Sequence, residues 1–91
     1  MLTLSSRVTK NKDIPYRIIE REAVLVDVAS GNVIQLSEVA AFIWEQIDGN
    51  NTTAGIIDSV SESFEVGKHK AEKDSLEFLN KLLEKGIISL I

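Results

Sequence analysis

The sequence predicts an α+β fold in which a three-stranded antiparallel sheet is followed by three helices. Between residues 16 and 35, short β-branched and alternating segments indicate strands that bury one face. The connections between them are too short for parallel crossovers, so we expect hairpins. From residue 37 onward, apolar residues recur at steps of three and four between capping residues and glycines, which is typical of amphipathic helices.

The strands are predicted from side-chain alternation and from the turns between them. Pro15 disfavours a helix just before it, and Tyr16–Arg21 is the first expected strand. The second begins at Ala23, turns at residues 29–31 and leads into a third strand over Asn32–Gln35. The period of two in the second strand, which is expected where one sheet face is buried, runs through Val24, Leu25, Val26, Asp27 and Val28.

Caps and glycines delimit the three helices. Ser37 is the expected N-cap of the first helix, which Gly49 terminates, and Thr52 is the expected N-cap of the second. The third is predicted over about Lys68–Lys85, with Gly86 as its stop. The expected inward faces of the first two helices contain Val39, Ala40, Ile43, Trp44, Ile47, Ile56, Ile57, Val60 and Phe64.

The third helix has a wider apolar arc than its core face requires. At about 100° per residue its core positions share one face; these are Ala71, Ser75, Phe78, Leu79 and Leu82. Leu76 and Leu83 lie beyond one flank of that face. Two interpretations remain open, since the excess could enter the domain's own core or line a groove beside the sheet. The helical wall of such a groove would consist of Lys73, Leu76, Asn80 and Leu83.

Length and composition indicate one small soluble domain. The 91 residues are 44% apolar and 26% charged, as in ordinary globular proteins. We expect residues 1–13 to form a flexible N-terminal arm and residues 14–91 the folded domain. No stretch approaches the roughly 20 apolar residues that span a bilayer, and the first residues are too polar for a signal peptide, so we expect a cytoplasmic protein without membrane contact. The absence of cysteine excludes disulfides and thiolate metal sites.

Charge is unevenly distributed along the chain. Residues 23–65 contain seven acidic residues and no Lys or Arg, within a net charge of −4. Because phosphate neutralisation supplies most non-specific nucleic-acid affinity, a DNA-binding domain should carry a basic face across its helices. Two of the three predicted helices would instead repel DNA. We therefore expect no nucleic-acid partner.

The sequence contains no recognisable catalytic set. His69, the only histidine, lies in a lysine-flanked run without a metal-ligand pattern, and the serines lack a histidine partner. The five glycines are spaced as turns and caps, not as a phosphate-binding loop. We therefore predict no catalytic residue, no metal site and no cofactor, and expect that the protein is not an enzyme.

The order of these elements resembles the PqqD-like proteins, peptide-binding domains also known as RiPP recognition elements. RiPPs are ribosomally made peptides that enzymes modify after synthesis. The similarity covers residues 17–89 and lies in Glu22–Asp27, Ser30-Gly31, Leu36–Trp44, Asp48-Gly49, Thr52, Ile56-Ile57 and the run from Phe78-Leu79 through Leu82 to Gly86. Ser37 replaces a usual Asn, which caps equally well. Asn32–Ile34 replaces a segment that tends to hold a basic residue and aromatics.

The resemblance implies a winged-helix-like fold that binds the leader segment of a precursor peptide without catalysing a reaction. In the family the leader adds a strand to the third strand and packs against the third helix. The matching positions here are Asn32, Val33, Ile34 and Gln35 on the strand, with Lys73, Leu76, Asn80 and Leu83 on the helix.

The resemblance also implies a second partner, a separate modifying enzyme that receives the bound precursor. It would be a radical enzyme, as in pyrroloquinoline quinone assembly, or a leader protease, as in lasso-peptide assembly. The polar, lysine-containing N-terminal arm does not resemble the start of quinone-pathway members and favours another pathway.

Two other classes of function fit parts of the sequence. A winged-helix DNA-binding regulator would share the helical spacing, although the acidic stretch argues against it. A structural module would pair its exposed strand edge with a second copy of itself and form a homodimer.

Overall fold

The computed structural model of this protein describes residues 2–91. In chain order the elements are β1 (Val8–Lys10), β2 (Tyr16–Ile19), β3 (Glu22–Asp27), β4 (Asn32–Leu36), α1 (Glu38–Gln46), α2 (Thr53–Phe64), α3 (Lys68–Glu84) and β5 (Ile88–Leu90). None of the helices in this range combines the length and the apolar character needed to cross a bilayer.

The sheet that precedes the helices has the predicted antiparallel order β2-β3-β4. In its register Ala23 lies between Ile18 and Leu36, and Leu25 lies between Tyr16 and Ile34. The buried face of β3 carries Ala23, Leu25 and Asp27, while the intervening valines are half-buried. Val28 falls in the turn after β3 and is 59% exposed. The α+β fold class is confirmed.

The caps of the first two helices are those that the sequence indicates. Ser37 Oγ accepts a hydrogen bond from the N–H of Ala40 at 3.4 Å, and Thr52 Oγ1 accepts one from the N–H of Gly55 at 3.1 Å. Each bond satisfies one of the donors left unpaired at a helix start. The chain leaves α3 through Gly86, whose φ of 71° is the left-handed conformation that favours glycine.

One contiguous core lies between the sheet and the helices. Trp44 is completely buried at its centre, and its ring meets that of Tyr16 edge-on at 5.2 Å. Ile87 and Ile88 return the chain to this core after α3. Burial of such side chains contributes roughly 1.5–3 kcal/mol each, which is the main support of a fold without disulfides.

The N-terminal segment differs from the flexible arm expected from sequence. Strand β1 pairs antiparallel with β5, and Val8 is only 1% exposed. Further backbone bonds attach the segment to the α1–α2 loop and to the start of α2. Val8 O accepts from the N–H of Gly49, and Ser6 O accepts from the N–H of Thr53. Met1, the first residue of the expected arm, lies outside the described residues.

Lys10 fixes the end of β1 against the side of the molecule that contains β2. Its Nζ lies 5.1 Å from the ring centroid of Trp44 and 5.5 Å from that of Tyr16. Cations at this distance from an aromatic face are attracted by its quadrupole. Burial lowers the pKa of Lys10, although Glu45 and Asp48 nearby act to raise it. The N-terminal segment thus lies beside β2 and is not stretched along β4.

Candidate functional site

Strand β4 forms one open edge of the three-stranded sheet. It pairs with β3 on one side, and no other strand within residues 2–91 pairs with its second side. In an antiparallel edge strand, alternate residues direct their backbone N–H and C=O groups away from the sheet. The two ends of the chain pair with each other, as β1 with β5, and leave this edge accessible.

An elongated groove of about 320 Å³ runs between β4 and α3. Its apolar lining consists of Ile34, Leu36, Ala40, Phe78 and Leu82, and its polar lining of Gln35, Ser37, Lys81 and Lys85. We call this the β4 groove. Leu36 and Leu82 are buried, whereas Ile34, Ala40 and Phe78 are half-buried. The groove therefore offers apolar surface directly beside unpaired backbone groups.

Two simple periodicities bring these residues together. Ile34 and Leu36 are two apart on β4 and share the face of the sheet that packs toward the helices. Phe78, Lys81, Leu82 and Lys85 follow the spacing i, i+3, i+4, i+7 and form one stripe along α3. The groove is the space between these two rows.

The strand residues predicted as a site all lie on β4, but they do not all line the groove. Ile34 and Gln35 contribute to its lining. Asn32 is exposed at the start of the strand, and Val33 lies opposite Val26 on the face turned away from the core, with 63% of its surface exposed. Because the outward-directed backbone groups alternate along the strand, only one of the neighbours Asn32 and Val33 directs its N–H and C=O to the open edge, while Ile34 contributes its side chain to the groove.

None of the four helix residues predicted from sequence lines the β4 groove. Leu76 and Leu83 are half-buried and pack against the core, while Lys73 and Asn80 are exposed elsewhere on α3. The wider apolar flank of α3 therefore supports the domain's own packing, and the opposite flank faces β4. The sequence placed the groove wall on the flank with Leu76 and Leu83, whereas the helical wall of the β4 groove lies on the opposite flank.

Sequence reasoning missed the residues that do form the helical wall. Phe78 was assigned to the core alone, and Lys81 and Lys85 were assigned to no site. On a helical wheel Phe78 lies at the border of the core arc, with both lysines just beyond it. That pattern was a usable signal, but a wheel shows two flanks and does not say which of them meets the sheet.

The rim of the β4 groove is basic. Within residues 2–91, the three ion pairs are Arg21–Glu38, Lys68–Asp58 and Lys70–Asp74, so neither Lys81 nor Lys85 is paired. Glu77 and Glu84 lie on the same helix but do not line the groove. A guest in this groove would therefore meet two ammonium groups that form no ion pair within residues 2–91, at the edge of an apolar channel.

A second cleft of about 280 Å³ lies beside the other edge strand, β2. We call this the β2 cleft. Phe42 and Phe64 pack edge-to-face at 5.3 Å within it, beside Ile18 and Ala41. The charged residues that line it are Glu20, Arg21, Glu38 and Glu45. Arg21 pairs with Glu38 at 3.3 Å, so the remaining charge of this cleft is acidic.

The described residues show no metal-type cluster. No group of three or more His, Asp or Glu side chains within residues 2–91 is arranged to hold a metal ion. His69 is exposed in the first turn of α3.

Comparison with known proteins supplies a family and a fold. Residues 22–88 match the family described as Coenzyme PQQ synthesis protein D (PqqD). A solved structure titled "TbiB1 in Complex with the TbiA(beta) Leader Peptide" is similar to this chain, with a TM-score of 0.79 and 22% sequence identity. The similarity covers 89% of this chain and 94% of TbiB1. A search of curated protein sequences gave no match.

Proposed function

This chain belongs to the PqqD family, and from that premise we propose that it binds the leader segment of a ribosomally made precursor peptide by strand addition at β4. In this proposal the protein is a peptide chaperone without catalytic activity. It holds the leader and presents the remainder of the precursor to a separate modifying enzyme. The partner peptide, the partner enzyme and the binding residues are all parts of the proposal.

The observation that carries the proposal is an open strand edge beside an apolar groove. Backbone N–H and C=O groups along β4 can pair with an extended peptide, as in other cases of strand addition. Such backbone pairing is largely independent of sequence. Selectivity must then come from side chains of the guest that enter the groove.

Peptide geometry fits this division of labour. In an added strand, alternate side chains point to the same face of the sheet. One set of guest side chains would therefore face Phe78 and Leu82 across the groove, while the other set would face solvent above Val33. The solved complex of TbiB1 supports the proposal, because a protein of similar fold there holds a leader peptide.

Binding of the leader would raise the effective concentration of the rest of the precursor near the modifying enzyme. A leader held on β4 leaves the rest of the precursor tethered near any enzyme that also contacts this domain. Linkage of this kind raises the local concentration to the millimolar range for short flexible tethers. The enzyme could be a leader protease or a radical enzyme, and the polar N-terminal segment favours a pathway other than quinone assembly.

The direct test is a titration with labelled leader peptides from precursor genes adjacent to the gene for this protein. We expect a cognate leader to bind the full chain, whereas a scrambled peptide of identical composition does not. Equal binding of the two peptides would contradict the proposal.

A backbone scan of the cognate leader tests strand addition without altering the protein. Peptides that carry a single N-methyl group at successive positions lose one N–H donor each. We expect alternate positions to weaken binding about tenfold and the positions between them to have little effect, since only alternate N–H groups face β4. A scan without this alternation would exclude strand addition.

A further inference from the structure

We propose that the β4 groove selects peptides in which a bulky apolar residue and an acidic residue are separated by one position. This inference rests on the proposed function and specifies the chemistry of its guest. Phe78 and Leu82 would contact the apolar side chain, and the ammonium groups of Lys81 and Lys85 would contact the carboxylate.

The floor of the β4 groove and its rim differ in chemistry. The floor is apolar, and the charged residues of the lining are both lysines, with no carboxylate among them. Burial of the lysine stems along this surface would leave their charged ends at the rim. A peptide carboxylate at that point would gain two charge-assisted contacts beside a partly desolvated channel.

Lys81 and Lys85 lie in and just after the last turn of α3, where cations interact favourably with the helix dipole. Lys81 and Lys85 are one helical turn apart, so their like charges oppose helix formation slightly. In the part of the chain that the structure describes, three of the ten basic residues form ion pairs, namely Arg21, Lys68 and Lys70. These two lysines form none, which leaves them available to an external anion.

The side-chain spacing of an extended peptide is similar to that along one face of α3. Side chains two residues apart on an extended peptide are separated by about 6.6–6.8 Å. Residues three or four apart on a helix are separated by about 5–6 Å between Cβ atoms. A peptide strand that runs along α3 and places an apolar side chain against Phe78 would therefore place its next inward side chain within reach of Lys81 or Lys85.

The probe for this inference is a display library of random peptides about ten residues long, selected on the immobilised full chain. We expect the selected peptides to share an Asp or Glu two positions from a Leu, Ile, Phe or Tyr. Replacement of that acidic residue by its amide in one selected peptide should weaken binding about fivefold.

The decisive comparison uses two double variants with the same change in net charge. In K81E/K85E, the selected peptides should carry Lys or Arg where the wild-type protein selects Asp or Glu. In the control K12E/R17E, the changes fall on exposed basic residues outside the groove, and the acidic preference should remain. Circular dichroism of each variant checks that the fold is retained.

Two contrary results would be distinguishable. If selected peptides show the alternating N-methyl pattern but no acidic preference, or if K81E/K85E leaves the preference unchanged, the charge selection is wrong and strand addition stands. If no selected peptide shows the alternating pattern, the proposed function fails, and the charge selection fails with it.

Discussion

The two edges of the three-stranded sheet have similar shapes and opposite chemistry. Each edge strand borders an apolar cleft of about 300 Å³ lined by half-buried phenylalanine, Phe78 in the β4 groove and Phe42 with Phe64 in the β2 cleft. The β4 groove is rimmed by two unpaired lysines, whereas the β2 cleft is rimmed mainly by glutamates, one of which pairs with Arg21. An open strand edge alone therefore does not identify a binding site in this fold.

The difference shows how one small domain can direct a peptide to one edge. Backbone pairing is available at both β2 and β4, so it gives no preference between them. The discrimination must come from side chains and charge. An acidic leader would be attracted to the β4 groove and repelled from the β2 cleft. This difference would suppress binding at the β2 edge.

The largest expected effect separates the aromatic residues of the two clefts. We expect Phe78→Ala to weaken binding of a cognate leader about 30-fold, because truncation of a central aromatic contact typically costs 2 kcal/mol or more. The measurement is a fluorescence polarisation titration.

The matched control for this prediction is Phe64→Ala in the β2 cleft. Phe64 is also half-buried, yet its loss should change leader affinity less than twofold, although it lowers stability. A larger loss of leader affinity in Phe64→Ala than in Phe78→Ala would indicate that the peptide binds at β2 and would contradict binding at β4.

Ionic strength should have a smaller effect on leader binding. An increase of salt to about 0.5 M should weaken the binding of an acidic leader about threefold, because it screens the attraction to Lys81 and Lys85. The same peptide with amides in place of its carboxylates should show almost no salt dependence. Tighter binding at high salt would contradict the assignment of the guest to the basic groove.

The smallest effect concerns the stability of the free protein. Lys85→Gln removes a like-charge neighbour of Lys81 and also a cation at the C-terminal end of α3, so the two effects oppose each other and the free energy of unfolding should change by less than about 0.5 kcal/mol. Arg21→Gln removes the exposed pair with Glu38 and should lower that free energy by about 0.2–1 kcal/mol. Urea denaturation of both variants measures these changes. A loss of more than about 1 kcal/mol in Lys85→Gln would show that this lysine has an internal partner beyond the helix dipole.

Features that depend on neighbouring residues were predictable from sequence. Ser37 and Thr52 cap helices because each hydroxyl accepts from an N–H three residues later, a contact that any chain context permits. The three strands and helices followed from periodicity in the same way. The edge position of β4 also followed, because the next element after it is a helix.

Features that depend on distant contacts were not predictable. Strand β1 contains one buried residue, Val8, between polar neighbours, and its partner β5 lies about 80 residues later in the chain. Prediction of the helical wall of the β4 groove requires knowing which flank of α3 faces the sheet, and tertiary packing determines that flank. Leu76 was therefore predicted to line the groove, whereas Phe78 and Lys81 are the residues of α3 that lie beside β4.

The most direct test is amide hydrogen exchange of the full chain, measured with and without a saturating cognate leader. The account predicts that alternate amides within residues 32–36 gain protection on peptide binding, while those of residues 16–19 do not change. Protection along β2, or at neither edge, would contradict strand addition at β4.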